Sequence, residues 1–291
     1  VPRVGRVRPA HLLILFLVAA GALGAAFAGF RPDGVPRWSD MWDYLQLARQ
    51  LYQGHGFSSL FTYPIFLPLG DGAAGFPLLW RPPGFPLLVA ALFPLGGGPF
   101  SGAPLVLQVA GYALAVLGTY LLALEFVEAR WALLAALVVA LSPDVLGVAE
   151  PGIATALYTA GLTFGFLLAT RAHGRRAAAL TGGLFGLLML LRGETLLLLP
   201  ALTWMLWAGE RGDRHARIWA CVAALVAVQI PWFVRLWLVT GRPFFAPSSL
   251  LYIDTAAFPG WESSRRLDML AQSPVRWALG HLGMVGAKGL R

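Results

Sequence analysis

The sequence is poor in charged residues. Only 12% of its 291 residues are Asp, Glu, Lys or Arg, whereas soluble domains contain about 25%. With 58% hydrophobic residues and a mean hydropathy of +0.69, the chain has too few polar side chains to cover a soluble globule. The composition therefore excludes a soluble enzyme and a disordered chain, and it predicts an all-α polytopic membrane protein.

Cysteine, asparagine and lysine are scarce or missing. The single cysteine, Cys221, lies in an apolar segment, so no internal disulfide can form. The lack of asparagine excludes an N-glycosylation sequon. Lys288 is the one lysine, so the net charge of +8 comes from arginine. These arginines stand in short clusters between apolar segments, which indicates membrane topology and not a nucleic-acid partner.

Seven apolar segments are candidates for transmembrane helices, at residues 10–30, 104–124, 131–148, 152–170, 177–191, 195–208 and 218–234. The first lacks a cleavage motif and is predicted to be a retained signal anchor. The fifth and sixth would together form a helix of about 48 Å, longer than a hydrocarbon core of about 30 Å. We therefore predict a hairpin whose two helices meet at Arg192-Gly193-Glu194.

The arginine clusters predict the orientation. They are Arg3/Arg6/Arg8, the surroundings of Arg130, Arg171/Arg175/Arg176 and Arg211/Arg214/Arg217. Cytoplasmic loops are enriched in basic residues. All four clusters lie on that side only if the chain crosses the membrane twice between each neighbouring pair of clusters, which a topology of about seven crossings provides. This topology predicts a cytoplasmic N-terminus in a bacterial plasma membrane, with residues 31–101 as a large first outer loop. Because another crossing would reverse the later clusters, residues 84–98 are predicted to form an interfacial or re-entrant helix.

The predicted organisation has two parts. Residues 1–245 form the transmembrane core, and the outer loop 31–101 lies within it. Residues 246–291 form an outer-face segment that ends at the start of a further helix, as expected for a truncated chain.

The outer loop contains the first candidate site residues. Residues 38–52 have helical periodicity, which places Asp40 and Asp43 one turn apart, beside Tyr44. One interpretation is an interfacial helix with a capping acid and aromatic anchors. Later in the loop, two prolines and a glycine hold Arg81 in an extended turn, where it can bind a phosphate group or simply anchor the loop at lipid headgroups.

Several segments, in order, resemble C-type glycosyltransferases, the polyprenyl-phosphate-sugar-dependent enzymes of the protein O-mannosyltransferase and aminoarabinose-transferase type. The matching segments are Asp40-x-x-x-Tyr44-x-x-x-Ala48, Gly54-x-Gly56-Phe57, Arg81-Pro82-Pro83-Gly84-Phe85-Pro86, Leu141-Ser142-Pro143, Leu191-Arg192-Gly193-Glu194-Thr195-Leu196, Pro231-Trp232-Phe233-Val234-Arg235 and Gly241-Arg242-Pro243. Together they extend from about residue 40 to residue 245.

The resemblance implies a seven-helix core and sugar transfer from a polyprenyl phosphate to a glycan, lipid or protein acceptor. It implies that Asp40 is the general base and that Arg81 and Arg192 contact the phosphate. A carboxylate at the membrane surface can take the proton of an acceptor hydroxyl, and arginine can stabilise the departing phosphate. Further candidates for substrate binding are Asp43, Tyr44, Glu150, Glu194 and Arg235.

The sequence departs from the family pattern at three positions. Met41 replaces a common Glu, Thr155 stands where many relatives have an acid, and Gly193 stands where a Pro is common. Glu150 is the acid nearest to Thr155, and pairing at a helix end is its alternative role. Arg192 and Glu194 have the alternative of pairing with each other or with lipid.

No cofactor is predicted, although a requirement for a divalent metal is left open. The five histidines are scattered without ligand spacing, and no Walker or Rossmann motif occurs. Alternative functions are a secondary transporter and a non-catalytic member of the same fold in lipid-glycan assembly. Transporters place polar sites at mid-membrane, but here the spans are nearly free of charge apart from their ends. Gln108 and Gln229 are isolated exceptions and are interpreted as interhelical hydrogen-bonding residues.

Overall fold

The computed structural model describes residues 5–28, 40–61, 67, 69, 75–79, 81–147, 152–208, 213–244, 276, 279–280 and 282–283. Its helices are α1 (Pro9–Ala28), α2 (Met41–Tyr52), α3 (Gly84–Leu92), α4 (Ala103–Ala123), α5 (Ala129–Ala140), α6 (Pro143–Leu146), α7 (Thr155–Thr170), α8 (Gly174–Leu191), α9 (Leu199–Ala208) and α10 (Arg214–Thr240). Short 3-10 helices follow α3 at Phe93–Gly96 and α8 at Gly193–Leu198. Strands β1 (Ser58–Ser59) and β2 (Phe76–Pro77) pair in an antiparallel arrangement.

The predicted predominance of helix and the membrane class agree with this structure. Helices α1, α4, α8 and α10 are each long and apolar enough to cross a membrane. α5, α7 and the segment Gly193–Ala208 are apolar but shorter, below the about 20 residues of a typical span. The strand pair β1–β2 departs from the all-α expectation.

The apolar segment 131–148 does not form one helix. α5 ends at Ala140, Ser142 is extended with φ −72° and ψ 121°, and α6 begins at Pro143. The physical reason is Pro143, because a proline disfavours helical conformation in the residue before it. This span is therefore shorter than the hydrophobic pattern indicated.

The hairpin predicted at Arg192 is confirmed. α8 ends at Leu191, and Arg192 is extended, with φ −149° and ψ 122°. α9 then turns back, so that its Leu202 and Leu206 share a buried cluster with Phe185 of α8 and with residues near the end of α7.

The chain forms two compact units. Unit 1 comprises Val1–Ala48 and Pro82–Ile230, and unit 2 comprises Arg49–Arg81 and Pro231–Arg291. In unit 1 α4 packs closely on α7. A side chain at Gly111 of α4 would overlap the backbone of Leu157 in α7, which illustrates how small residues let helices approach in membrane proteins.

Glutamine side chains connect helices of unit 1, as predicted. Gln229 of α10 donates from Nε2 to the Gly186 carbonyl of α8 at 2.6 Å. Gln108 of α4 donates from Nε2 to the Leu146 carbonyl at 2.6 Å and accepts from the Gly152 N–H. Gln108 thereby holds the chain on both sides of the segment between α6 and α7.

One end of unit 1 gathers the N-terminal segment and the connections after α4 and α7. The Gly5 N–H donates to the Leu124 carbonyl at 2.9 Å. Arg171, which follows α7, forms an ion pair and hydrogen bonds with Glu125, which follows α4.

The connection before α10 lies at this same end. Arg175 Nη2 in α8 is 3.2 Å from Asp213 Oδ2, and Arg217 in α10 donates to the Ala172 carbonyl at 3.3 Å. We call this the arginine-rich end, since segments of all four basic clusters meet there.

Candidate functional site

The opposite end of unit 1 brings together the starts of α2, α3, α4 and α7 and the end of α8. A side chain at Gly152 would touch Met41 and Pro104, and one at Gly84 would touch Leu190. These contacts define the site end. Since α8 runs from Gly174 to Leu191, the site end and the arginine-rich end lie at opposite ends of that helix.

Asp40 directly precedes α2, whose predicted helical structure is confirmed. Its carbonyl accepts the Tyr44 N–H at 3.1 Å, the first hydrogen bond of the helix. Tyr44 is buried and meets the Phe85 ring edge to face, with 4.9 Å between ring centres, so its position is that of a packing residue. Asp40 and Asp43 are both half-buried, and the packing of Met41 and Tyr44 holds this end of α2 in place.

Arg192 has three described partners. Nη1 donates to Thr155 Oγ1 at 3.3 Å, and Nη2 donates to Glu194 Oε1 at 3.4 Å. The guanidinium carbon lies 5.5 Å from the centre of the Tyr158 ring, within the range of a cation–π contact. The Arg192 side chain is still 38% exposed, so a ligand can reach it.

A second layer supports this arginine. Thr195 is fully buried, and its hydroxyl donates to the Arg192 carbonyl at 2.8 Å. The same hydroxyl is 3.1 Å from the Tyr158 hydroxyl, which orients the ring under the guanidinium. Sequence reasoning missed Tyr158 and Thr195, although Tyr158 lies one turn after Thr155 on α7.

Glu194 pairs with Arg192, the alternative that the sequence had left open for both residues. Burial by itself raises the pKa of the Glu194 carboxyl. The hydrogen bonds from its own backbone and from Arg192, together with the Arg192 charge, outweigh that effect and lower the pKa below its ordinary value. Glu194 is therefore ionised at neutral pH and neutralises part of the Arg192 charge.

Met41 and Arg192 both contact residues at the start of α7 or just before it. Met41, next to Asp40, lies against Gly152, and the Thr155 hydroxyl holds Arg192. Asp40 and Arg192 thus flank the same helix start, although they are far apart in sequence. Glu150 lies outside the described residues.

Unit 2 contains the other two arginine candidates. Arg81 is half-buried and immediately precedes Pro82. Arg235 of α10 donates from Nη2 to the Phe57 carbonyl at 2.6 Å. Its guanidinium carbon is 4.9 Å from the Phe57 ring centre and 5.1 Å from that of Trp232. The described contacts of Arg235 therefore connect α10 with the turn after α2.

Two glycines build that turn. Gly54 has φ +82° and Gly56 has φ +74°, a left-handed conformation that residues with a Cβ adopt only at a cost. The turn places the Phe57 carbonyl within hydrogen-bond distance of the Arg235 guanidinium. The segments 54–57 and 231–235 thus meet within unit 2, where Phe57 provides the acceptor and Arg235 provides the donor.

What we call the Arg192 cluster consists of Arg192, Thr155, Tyr158, Glu194 and Thr195. An apolar groove begins two residues after Glu194. It has a volume of about 670 Å³ and runs from Leu196 along α9 to Trp207. Trp204 on its wall is 69% exposed. A groove of this size is within the usual range for ligands, and its lining suits a hydrocarbon chain.

Within the described part of the chain, no three His, Cys, Asp or Glu side chains come together as a metal site. The polar chemistry of the site end is instead that of one arginine, its glutamate partner and the threonine and tyrosine hydroxyls. In comparisons with known proteins, no family model and no curated protein matches this chain.

Proposed function

We propose that the protein is a membrane glycosyltransferase that moves a sugar from a polyprenyl phosphate to an acceptor hydroxyl. The observation that carries the proposal is the Arg192 cluster, which flanks the start of α7 together with Asp40 and adjoins the apolar groove along α9. A lipid phosphate needs a cation beside a hydrocarbon surface, and this end of unit 1 supplies both.

In the proposed reaction, Asp40 takes the proton of the acceptor hydroxyl. The acceptor oxygen forms a bond to the anomeric carbon of the sugar, and the bond between that carbon and the phosphate oxygen breaks. The electron pair leaves with the polyprenyl phosphate, whose growing negative charge Arg192 stabilises. Arg81 is proposed as a second phosphate contact, and Glu194, Asp43, Tyr44, Glu150 and Arg235 remain candidates for substrate binding.

The groove along α9 is proposed to hold the prenyl chain nearest to the phosphate. Apart from Thr203 its lining is apolar from Leu196 to Trp207, so a prenyl chain can lie along it in van der Waals contact. A donor anchored in this way presents its phosphate next to Arg192.

The proposed topology has about seven crossings, with the arginine-rich end in the cytoplasm. The meeting of segments from all four basic clusters at one end of unit 1 supports it. Asp40 and Arg192 then face the outside of a bacterial plasma membrane, where lipid-linked sugars are consumed. Acceptors are glycans, lipids or proteins with a free hydroxyl on that side.

The decisive experiment replaces Asp40 with Asn and measures transfer of radiolabelled sugar from polyprenyl phosphate in proteoliposomes. Loss of a general base lowers the rate by about 10²–10⁴-fold. We expect Asp40→Asn to lose transfer while it still binds the lipid donor, because Arg192 is unchanged.

Asp144→Asn is the matched control. Asp144 is exposed in the first turn of α6, so its substitution changes the charge equally and leaves the proposed base intact. Unchanged transfer by Asp40→Asn would remove Asp40 from the mechanism. Solute uptake by the wild-type protein without any glycosylated product would establish a transporter instead.

A further inference from the structure

A second apolar groove lies between α8 and α10, away from the site end. It has a volume of about 710 Å³. Val228 contributes from α10, and one stripe of α8 forms the rest of the wall, namely Arg176, Ala179, Leu180, Gly183, Leu184 and Leu187. These spacings of three and four residues put the stripe on a single helix face.

Two small residues, Ala179 and Gly183, form the floor of the groove. A side chain added at Gly183 would find no neighbouring atom within 4 Å, so the groove is open at that position. Leu180 and Leu187 beside it are 67% and 54% exposed. The structure thus presents exposed leucines along an open groove, which the small residues Ala179 and Gly183 line.

The groove has one charged end. Arg176 is exposed in the first turn of α8 and belongs to the arginine-rich end. Its neighbour Arg175 is paired with Asp213. Among the described residues, no acidic side chain forms an ion pair with Arg176.

The length of the groove equals about one membrane leaflet. From Arg176 to Leu187 the helix rises about 16 Å, half of a hydrocarbon core of about 30 Å. An acyl chain whose headgroup lies at Arg176 therefore reaches the middle of the bilayer at Leu187. A positive charge at headgroup depth attracts anionic lipids.

We propose that this groove is a binding site for an anionic phospholipid, with the headgroup phosphate on Arg176 and one acyl chain along α8. The site is separate from the proposed donor site, since it begins at the opposite end of α8 from Arg192. The lipid covers the exposed leucines of α8 beside Val228 of α10.

Native mass spectrometry of the full chain, purified in detergent, tests this proposal. Phosphatidylglycerol and phosphatidylcholine with identical acyl chains are added in turn, and the retained lipid is counted. We expect one phosphatidylglycerol to be retained at concentrations where phosphatidylcholine is lost. Gly183→Leu fills the groove and weakens this binding about tenfold, as expected if the added side chain removes about ten van der Waals contacts between the acyl chain and the helix.

Matched controls distinguish a change in the groove from the general effects of a larger side chain or a lost positive charge. Gly21→Leu in α1 also adds a side chain in open space, and it should leave the lipid bound. Arg176→Gln should weaken phosphatidylglycerol about fivefold, more than Arg175→Gln, which removes the same charge one residue away. Circular dichroism verifies that each variant is folded.

Three results would overturn the proposal. One is equal retention of phosphatidylglycerol by Gly183→Leu and Gly21→Leu. A second is equal binding of the two phospholipids to the wild-type protein. The third is a polyprenyl phosphate that displaces the phospholipid only when Gly183 is intact, which would make the groove a donor site.

Discussion

Arg192 is held by partners that leave most of its charge available. Thr155 accepts a hydrogen bond and Tyr158 offers its ring face, and neither side chain carries a negative charge. Glu194 is the acidic partner, but it is 62% exposed, and exposed pairs are weak and easily exchanged. This arrangement suits an arginine that must accept a second anion.

Replacement of Thr155 by Val tests whether the Thr155 hydroxyl positions Arg192 for an anionic ligand. Val keeps the volume and removes the hydroxyl that accepts from Nη1. Interhelical hydrogen bonds in membrane proteins contribute about 0.6 kcal/mol, equivalent to about threefold in binding. We expect the KM for the lipid donor to rise about threefold while kcat changes little. Thr159→Val, whose hydroxyl donates to the Thr155 carbonyl of the same helix, should leave the KM unchanged.

The pH dependence of stability follows from Glu194. Its pKa is lower in the folded protein than in the unfolded chain, so its stabilisation is complete above the ordinary value of about 4.3. The stabilisation is lost as the pH falls through the lower, folded pKa. The carboxyl is largely exposed, so we expect less than about 1 kcal/mol.

Thermal unfolding of wild type and Glu194→Gln in detergent measures this contribution. The difference between the two proteins should be constant from neutral pH to about pH 5 and should vanish in stronger acid. A difference that grew on acidification would contradict the assigned direction of the shift.

At the scale of elements, glycine decides how closely helices approach. α8 meets α10 at Gly182, where an added Cβ would overlap the backbone of Cys221. The next residue, Gly183, faces the open groove. Two adjacent glycines of one helix therefore have opposite environments, which hydropathy alone does not reveal.

Gly182→Leu and Gly183→Leu form a matched pair. Overpacking of a close contact costs about 1–3 kcal/mol, and the backbone of Cys221 cannot move aside as a side chain would. We expect Gly182→Leu to lower the Tm by several degrees and Gly183→Leu to leave it equal or higher, because leucine is the better helix former. Equal Tm values for the two variants would contradict the close contact of α8 with α10.

At the scale of the whole molecule, the two ends of unit 1 differ in character. The arginine-rich end has ion pairs between successive connections, and the site end has the Arg192 cluster and the start of α2. The proposed topology places a membrane between them.

Cysteine labelling tests this orientation. The native Cys221 is buried and should not react, so the wild-type protein should show no labelling. Arg130→Cys is placed at the arginine-rich end, where the Arg130 side chain is exposed. Gly193→Cys is placed at the site end, where an added side chain meets no neighbouring atom within 4 Å. In intact cells, a membrane-impermeant maleimide should label Gly193→Cys and should label Arg130→Cys only after lysis. Labelling of both in intact cells would contradict the proposed crossings.

The sequence by itself determined the membrane class, a helix within residues 38–52 and the break at Arg192, because each depends on local hydrophobicity or on local backbone preference. It overestimated α5, since the apolar pattern continues through Pro143 although the helix does not. Only the tertiary structure decided that Arg192 contacts Thr155 and Tyr158, because residues from α7 and α8 meet through the packing of whole helices.

The same distinction holds for the scarce charge of this chain. Composition shows that the charged residues are few, and it leaves their partners undetermined. The fold pairs some arginines with acids at one end, places Arg192 over an aromatic ring at the other and leaves Arg176 beside an open groove. Partners of this kind depend on distances in space between side chains far apart in sequence, and only the folded chain sets those distances.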